Sequence, residues 1–199
     1  MKIIGITGGV GSGKSRVLSY LEEKYGAIIC QADHVAWDLQ KPGEKCYQAI
    51  VEYFGTCILN ADKTINRKKL GEFVFGNETS LSVLNAIMHP AVNEEIRKRI
   101  EMGKKSQAKY FVIEAALLIE ENYDEICDEL WYIYTSEAVR RMRLKESRQY
   151  SDEKIDAIIS AQLAEAVFRM SCQRVIDNSG DFENTVAQID DIMKLLGEN

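Results

Sequence analysis

Two hydrophobic periods alternate along this chain, and each switch between them marks an element. Met1–Thr7 (MKIIGIT) is a short apolar run with β-branched residues, which predicts a buried strand. In Arg16–Tyr25 the apolar positions Val17, Leu18 and Leu21 recur at helical spacing. Ala27–Asp33 predicts a second strand ending in an acid. From His34 to about Lys105 the strand–helix rhythm stops. Helical patterns follow one another there, at about Val35–Gln40, Glu44–Phe54, Arg67–Phe75, Leu81–Met88 and Val92–Gly103. Lys41-Pro42-Gly43 and Gly76-Asn77 punctuate them, Asn60–Lys63 predicts a tight turn between two extended pieces, and His89-Pro90 falls between two helices. Strands then return at Tyr110–Glu114, Leu130–Tyr134 and Arg174–Asn178. Between the last two lie a basic helix around 140–148 and a helix from Ser151 to about Met170, and an amphipathic helix, Asp181–Leu196, follows. Strands alternating with helices predict an α/β fold, and the all-helical block predicts a lobe that grips a second substrate.

Gly8-Gly9-Val10-Gly11-Ser12-Gly13-Lys14-Ser15, between the first strand and the first helix, fits the phosphate-binding P-loop pattern Gly, any four, Gly, Lys, Ser/Thr. Glycines let the backbone turn tightly and aim its N–H groups at an anion, and the helix that follows points its positive end the same way. Gly9, Gly11, Ser12, Gly13, Lys14, Ser15 and Arg16 are therefore the expected ATP contacts, with Lys14 on the β- and γ-phosphates and the Ser15 hydroxyl on Mg²⁺. A glycine-rich turn that binds nothing is the bland alternative, and the flanking strand and helix weigh against it.

Ligands of open α/β sheets sit outside the carboxyl ends of the strands, which puts Asp33 on the same rim as the glycine loop. Its carboxylate could accept a proton from a substrate hydroxyl or orient it; equally, it could cap the next helix. Glu114, at the end of another strand, suits a Mg²⁺-orienting acid or a structural hydrogen bond. His89 could face a substrate cleft or simply pack. Arg140, Arg141, Arg143, Lys145 and Arg148 form either a solvated face or a basic lid over the transferring phosphoryl group.

Composition narrows the reading. The 199 residues suit one domain with insertions, and 46% apolar residues suffice for a sizeable core. A net charge of −6 argues against wholesale nucleic-acid binding. No apolar run approaches the about 18 residues of a membrane span, and the amino terminus lacks a signal-peptide pattern. Cys30, Cys46, Cys57, Cys127 and Cys172 are odd in number and widely spaced, so reduced thiols in a cytoplasmic protein are expected rather than a zinc site or disulfide scaffold.

Taken together, Ile6–Ser15, Ala32-Asp33, Pro42-Gly43, Ile65–Leu70, His89-Pro90, Leu117-Leu118 with Glu120, and Val175–Gly180 resemble the dephospho-CoA kinase family. The resemblance implies a P-loop kinase with a three-layer α/β/α core and parallel sheet. Core segments would be 1–33, 106–136 and 173–199, with a helical CoA lobe at about 34–105 and a lid and following helix at about 137–172. It implies phosphorylation of the ribose 3′-hydroxyl of dephospho-CoA by ATP with Mg²⁺, and a small-molecule acceptor rather than nucleic acid or membrane. Lys14, Asp33, Arg143 and Arg148 would be catalytic, with Asp33, His89 and Glu114 on the substrate side and Asn178 and Gly180 beside the adenine of ATP. The family usually has arginine four residues after its aspartate, where this chain has Trp37, which could stack on a base or pack. The lid is one residue longer than the family pattern, so Arg143 and Arg148 are assigned by register. Phe168 and Gln173 also depart from it. The same parts would serve a kinase of another small metabolite. A guanine-specific switch is disfavoured, because Asp177–Asp181 does not supply the Asn-Lys-x-Asp motif.

Overall fold

The structure, a computed structural model, describes residues 1–197. Five strands form one sheet: β1 (Lys2–Thr7), β2 (Ile28–Gln31), β3 (Tyr110–Glu114), β4 (Glu129–Tyr134) and β5 (Arg174–Asp177), in the order β2-β3-β1-β4-β5. β1 pairs in parallel with both β3 and β4, and β4 with β5, in a register that sets Ile6 beside Glu114 and Trp131. An α/β architecture with a parallel sheet is what the alternating periods predict. Backbone contacts divide the chain into two compact units, Met1–Ile29 with the chain from Ser106 onward, and Cys30–Lys105.

The first unit carries α1 (Lys14–Tyr25), α6 (Glu137–Arg148), α7 (Asp152–Ser160), α8 (Glu165–Ser171) and α9 (Phe182–Gly197). Its core joins Ile4, Ile6, Val112, Trp131, Ile133 and Ile176 of the sheet to Val17, Leu18 and Leu21 of α1 and to Ile189, Met193 and Leu196 of α9. These are the apolar stripes of two amphipathic helices laid on one sheet face. The continuous helix expected from Ser151 to Met170 is instead α7 and α8. Between them Gln162 turns back to accept a hydrogen bond from Arg140, a contact that helical periodicity does not carry.

Asp190 ties α9 to α1. Its carboxylate accepts hydrogen bonds from Tyr20 and Tyr25 at 2.6 Å each and from Lys24 at 2.7 Å. Partial burial opposes its ionisation, but the hydrogen bonds from Lys24, Tyr20 and Tyr25 hold the carboxyl down to about 2. An unfolded chain has this group near about 3.9, so the contribution is present above about pH 4 and lost as pH falls toward 2. Asp190→Asn is therefore expected to lower the melting temperature by about 2–8 °C at pH 7, from about 1–2 kcal/mol of lost charged hydrogen bonding. It should also flatten the acid limb of the stability profile between about pH 4 and 2, which thermal melts across pH would read.

The second unit contains α2 (Ala32–Asp38), α3 (Lys45–Phe54), α4 (Arg67–Val74) and α5 (Glu78–Lys105). Asn66 caps α4 by accepting from the Lys69 amide at 3.1 Å, and Leu59 and Ile65 bridge across the turn expected at 60–63. His89-Pro90 does not separate two helices: α5 runs unbroken through it, with Pro90 inside. Proline within a helix costs about 3 kcal/mol or more. Met88, Ala91, Val92, Ile96 and Ile100 bury one continuous stripe across it, and that packing on α2, α3 and α4 offsets the local penalty.

Candidate active site

The loop between β1 and α1 is assembled from its own glycines and from three distant segments. Gly11 and Gly13 both take φ of 85°, open to glycine and strained for other residues. A Cβ on Gly13 would collide with the buried Asn178 amide, so that position also requires the missing side chain, and one on Gly9 would displace the end of the Arg140 side chain.

The Ser12 carbonyl is the anchor. It accepts from Asn178 Nδ2 at 2.7 Å, Thr135 Oγ1 at 3.0 Å and Arg143 Nη1 at 3.4 Å. Asn178 is buried, and Thr185 donates to its Oδ1 at 3.0 Å while Arg143 donates to its carbonyl at 2.8 Å. β4, α6 and the turn after β5 thus fix one backbone oxygen from three sides. That fixes the loop's backbone through protein contacts alone, the preorganisation an electrostatic site needs. Among the described residues the buried hydroxyls of Thr7 and Ser12 have no hydrogen-bond partner, which leaves two polar groups at the loop unsatisfied.

Lys14 donates to the Gly8 carbonyl at 2.7 Å and lies 3.7 Å from a Glu114 oxygen, both side chains largely buried. Glu114 thus stands beside the loop's lysine. Ser15 and Arg16 are exposed in the first turn of α1, and the Arg16 guanidinium covers the Phe182 ring at 3.8 Å. Gly180 is exposed in the bend after β5.

Of the basic run, Arg140 and Arg143 reach the loop. Arg140 Nε donates to the Val10 carbonyl at 2.9 Å and its terminal nitrogen to Gln162. Burial pushes the Arg140 guanidinium below its usual value, so its charge is held here at a desolvation cost that a polyphosphate would offset. Arg148 lies elsewhere: it is exposed at the end of α6, 5.9 Å from the Tyr150 ring. Five residues separate it from Arg143, a rotation that leaves it about 140° around the helix. Thr135 and Thr185 are the site residues that sequence reasoning passed over, and Arg140 was named only as a member of the basic run. For Arg140 a signal existed, since Arg140, Arg143 and the buried Leu144 share one face at helical spacing.

In the second unit Asp33 is exposed in the first turn of α2, whose cap is Gln31. The capping alternative for Asp33 therefore falls away, although an acid in a first helical turn still favours the helix dipole. His89 is half-buried in the middle of α5.

The family model described as dephospho-CoA kinase matches residues 2–184. A dephospho-CoA kinase from Carboxydothermus hydrogenoformans is 41% identical over 189 residues, 95% of this chain and 91% of that protein. One from Streptococcus mutans is 36% identical over 195 residues, 98% of each. Among solved structures, dephospho-CoA kinase from Campylobacter jejuni superimposes with a TM-score of 0.73 at 22% identity, covering 100% of this chain and 98% of that one, which speaks for the fold.

Proposed function

We propose how the residues of this chain, which belongs to the dephospho-CoA kinase family, divide the work of one phosphoryl transfer. The reaction takes ATP and dephospho-CoA to ADP and coenzyme A, with the ribose 3′-hydroxyl as acceptor. The observation that carries the site assignment is the Ser12 carbonyl held by Asn178, Thr135 and Arg143, with Lys14 at the head of the following helix. Such a loop recognises a chain of phosphates through backbone N–H groups and one ammonium.

Gly9 to Arg16 hold the triphosphate, with Lys14 on its terminal oxygens. Asn178 serves ATP by fixing the loop, and Gly180 lies on the adenine side. Arg143, joined by Arg140, offsets the charge that develops on the transferred group, and Arg148, about 140° around α6 from Arg143, is not assigned to it. Asp33 holds the acceptor hydroxyl and takes its proton as the new oxygen–phosphorus bond forms and the bond to the β-phosphate oxygen breaks. His89 and Glu114 complete the acceptor set, and Glu114 also orients Lys14.

Ser15 suits Mg²⁺ arriving with the nucleotide: it is exposed in the first turn of α1, next to Lys14 in the chain. When bound, the ion would neutralise charge on the nucleotide's phosphates. Among the described residues no helix is long and apolar enough to cross a membrane, and the five cysteines are free thiols, which suits a reducing cytoplasm.

Incubation with ATP, Mg²⁺ and dephospho-CoA is expected to yield coenzyme A, a mass gain of one phosphoryl group. Turnover of a nucleoside or nucleotide with none of dephospho-CoA would reassign the acceptor while leaving the P-loop chemistry in place.

A further inference from the structure

The second unit holds a recess of about 440 Å³ lined by His34, Trp37, Asp38, Lys41, Thr64 and Arg67 among others. Several other cations of this unit are neutralised. Lys41 pairs with Asp38 at 2.7 Å, Arg99 with Glu95 at 3.2 Å, and Lys45 and Lys98 with Glu94. Arg67 differs: among the described residues no carboxylate lies within ion-pair distance of it. Its guanidinium carbon instead sits 4.1 Å from the centre of the Trp37 ring, and the His34 ring packs on the same indole at 4.9 Å. An indole fixes a guanidinium without cancelling its charge, so the planar donors stay available to an anion.

The location narrows the anion. Trp37 stands four residues after Asp33, so the two share a face of α2 one turn apart, about 6 Å along its axis. In dephospho-CoA the sugar that bears the reacting 3′-hydroxyl carries the diphosphate on its 5′ carbon, a few bonds away. We propose that Arg67, held on the Trp37 indole, binds that diphosphate, making Arg67 a substrate-binding residue and Trp37 the residue that positions it. Lys41, on the recess wall, is already engaged by Asp38, so Arg67 provides the uncompensated charge. The proposal rests on the reading of Asp33 as the residue that holds the acceptor hydroxyl.

The test is steady-state kinetics on variants of two exposed residues, with thermal melts confirming that each is folded. Arg67→Ala should raise KM for dephospho-CoA about 10- to 100-fold, while KM for ATP stays within about twofold and kcat within about threefold. Arg67→Lys should recover part of the loss, Trp37→Phe should stay within about threefold, and Trp37→Ala should cost about 3- to 10-fold in the same KM. Adenosine carries the sugar and base without the diphosphate. As a competitor of dephospho-CoA its inhibition constant should change less than about twofold in Arg67→Ala. An unchanged KM for dephospho-CoA in Arg67→Ala overturns the proposal. Equal weakening of adenosine and dephospho-CoA also overturns it, and so does a Trp37→Ala effect confined to adenosine, which would make the indole a base platform. If the wild-type protein makes no coenzyme A at all, the functional reading fails instead, and the two failures are told apart by that control.

Discussion

Lys14→Met is expected to abolish nearly all phosphoryl transfer while leaving a folded protein. The ammonium sits at the start of α1, 2.7 Å from the Gly8 carbonyl and 3.7 Å from Glu114. In the proposed reaction it meets the negative charge that concentrates on the γ-phosphate and its bridging oxygen. A single preorganised donor at developing charge contributes about 10²–10³ in kcat, and a cation at a transferring phosphoryl group about 10³–10⁵, so a loss near about 10³ or more is the expected magnitude. Methionine keeps the length and apolar stem of the side chain, so the change removes charge rather than volume. It also takes a cation away from a largely buried Glu114, which destabilises the protein by about 1–3 kcal/mol. The double variant Lys14→Met/Glu114→Gln separates the two effects. Its melting temperature should rise above that of the single variant, and its kcat should stay as low. Recovery of turnover together with stability would show that Lys14 serves only the fold.

The strands were readable because their signals are local. Tyr110–Glu114 is an uninterrupted β-branched and aromatic run, and its ends in the structure are the ends the pattern predicts. The P-loop was readable for a similar reason: its chemistry is written in glycines, a lysine and a serine that stand next to one another. What was not legible depends on partners far along the chain. His89-Pro90 is a strong local break signal, yet α5 passes through it, because the stripe from Met88 to Ile100 is buried by helices that come earlier in sequence. The Ser12 carbonyl has no letter of its own, and its donors come from positions 135, 143 and 178. Arg148 was assigned by register against a lid one residue longer than the family pattern, and the helical angle carries it away from the face that Arg140, Arg143 and Leu144 share.

Asp33→Asn is expected to lower kcat by about 10²–10⁴, with KM for ATP within about twofold of wild type. Asparagine keeps the size and one acceptor oxygen but cannot take the hydroxyl proton, so the loss falls on the chemical step. Asp33 is exposed, and its ordinary structural role would be an acid in the first turn of α2, worth about 0.3–1 kcal/mol through the helix dipole. That role predicts a melting-temperature drop of about 1–4 °C and no change in turnover. The two roles therefore diverge on separate measurements. Slow hydrolysis of ATP in the absence of acceptor adds a third: it should survive Asp33→Asn, because that reaction does not need the acceptor hydroxyl, while Lys14→Met should remove it. Asp33→Glu should recover part of kcat if a carboxylate must meet the hydroxyl, since a base acts at about 2.6–3.2 Å and the longer side chain shifts that distance without abolishing it. Near-wild-type turnover in Asp33→Asn would leave the residue its helix-start role alone and take the proton acceptor elsewhere.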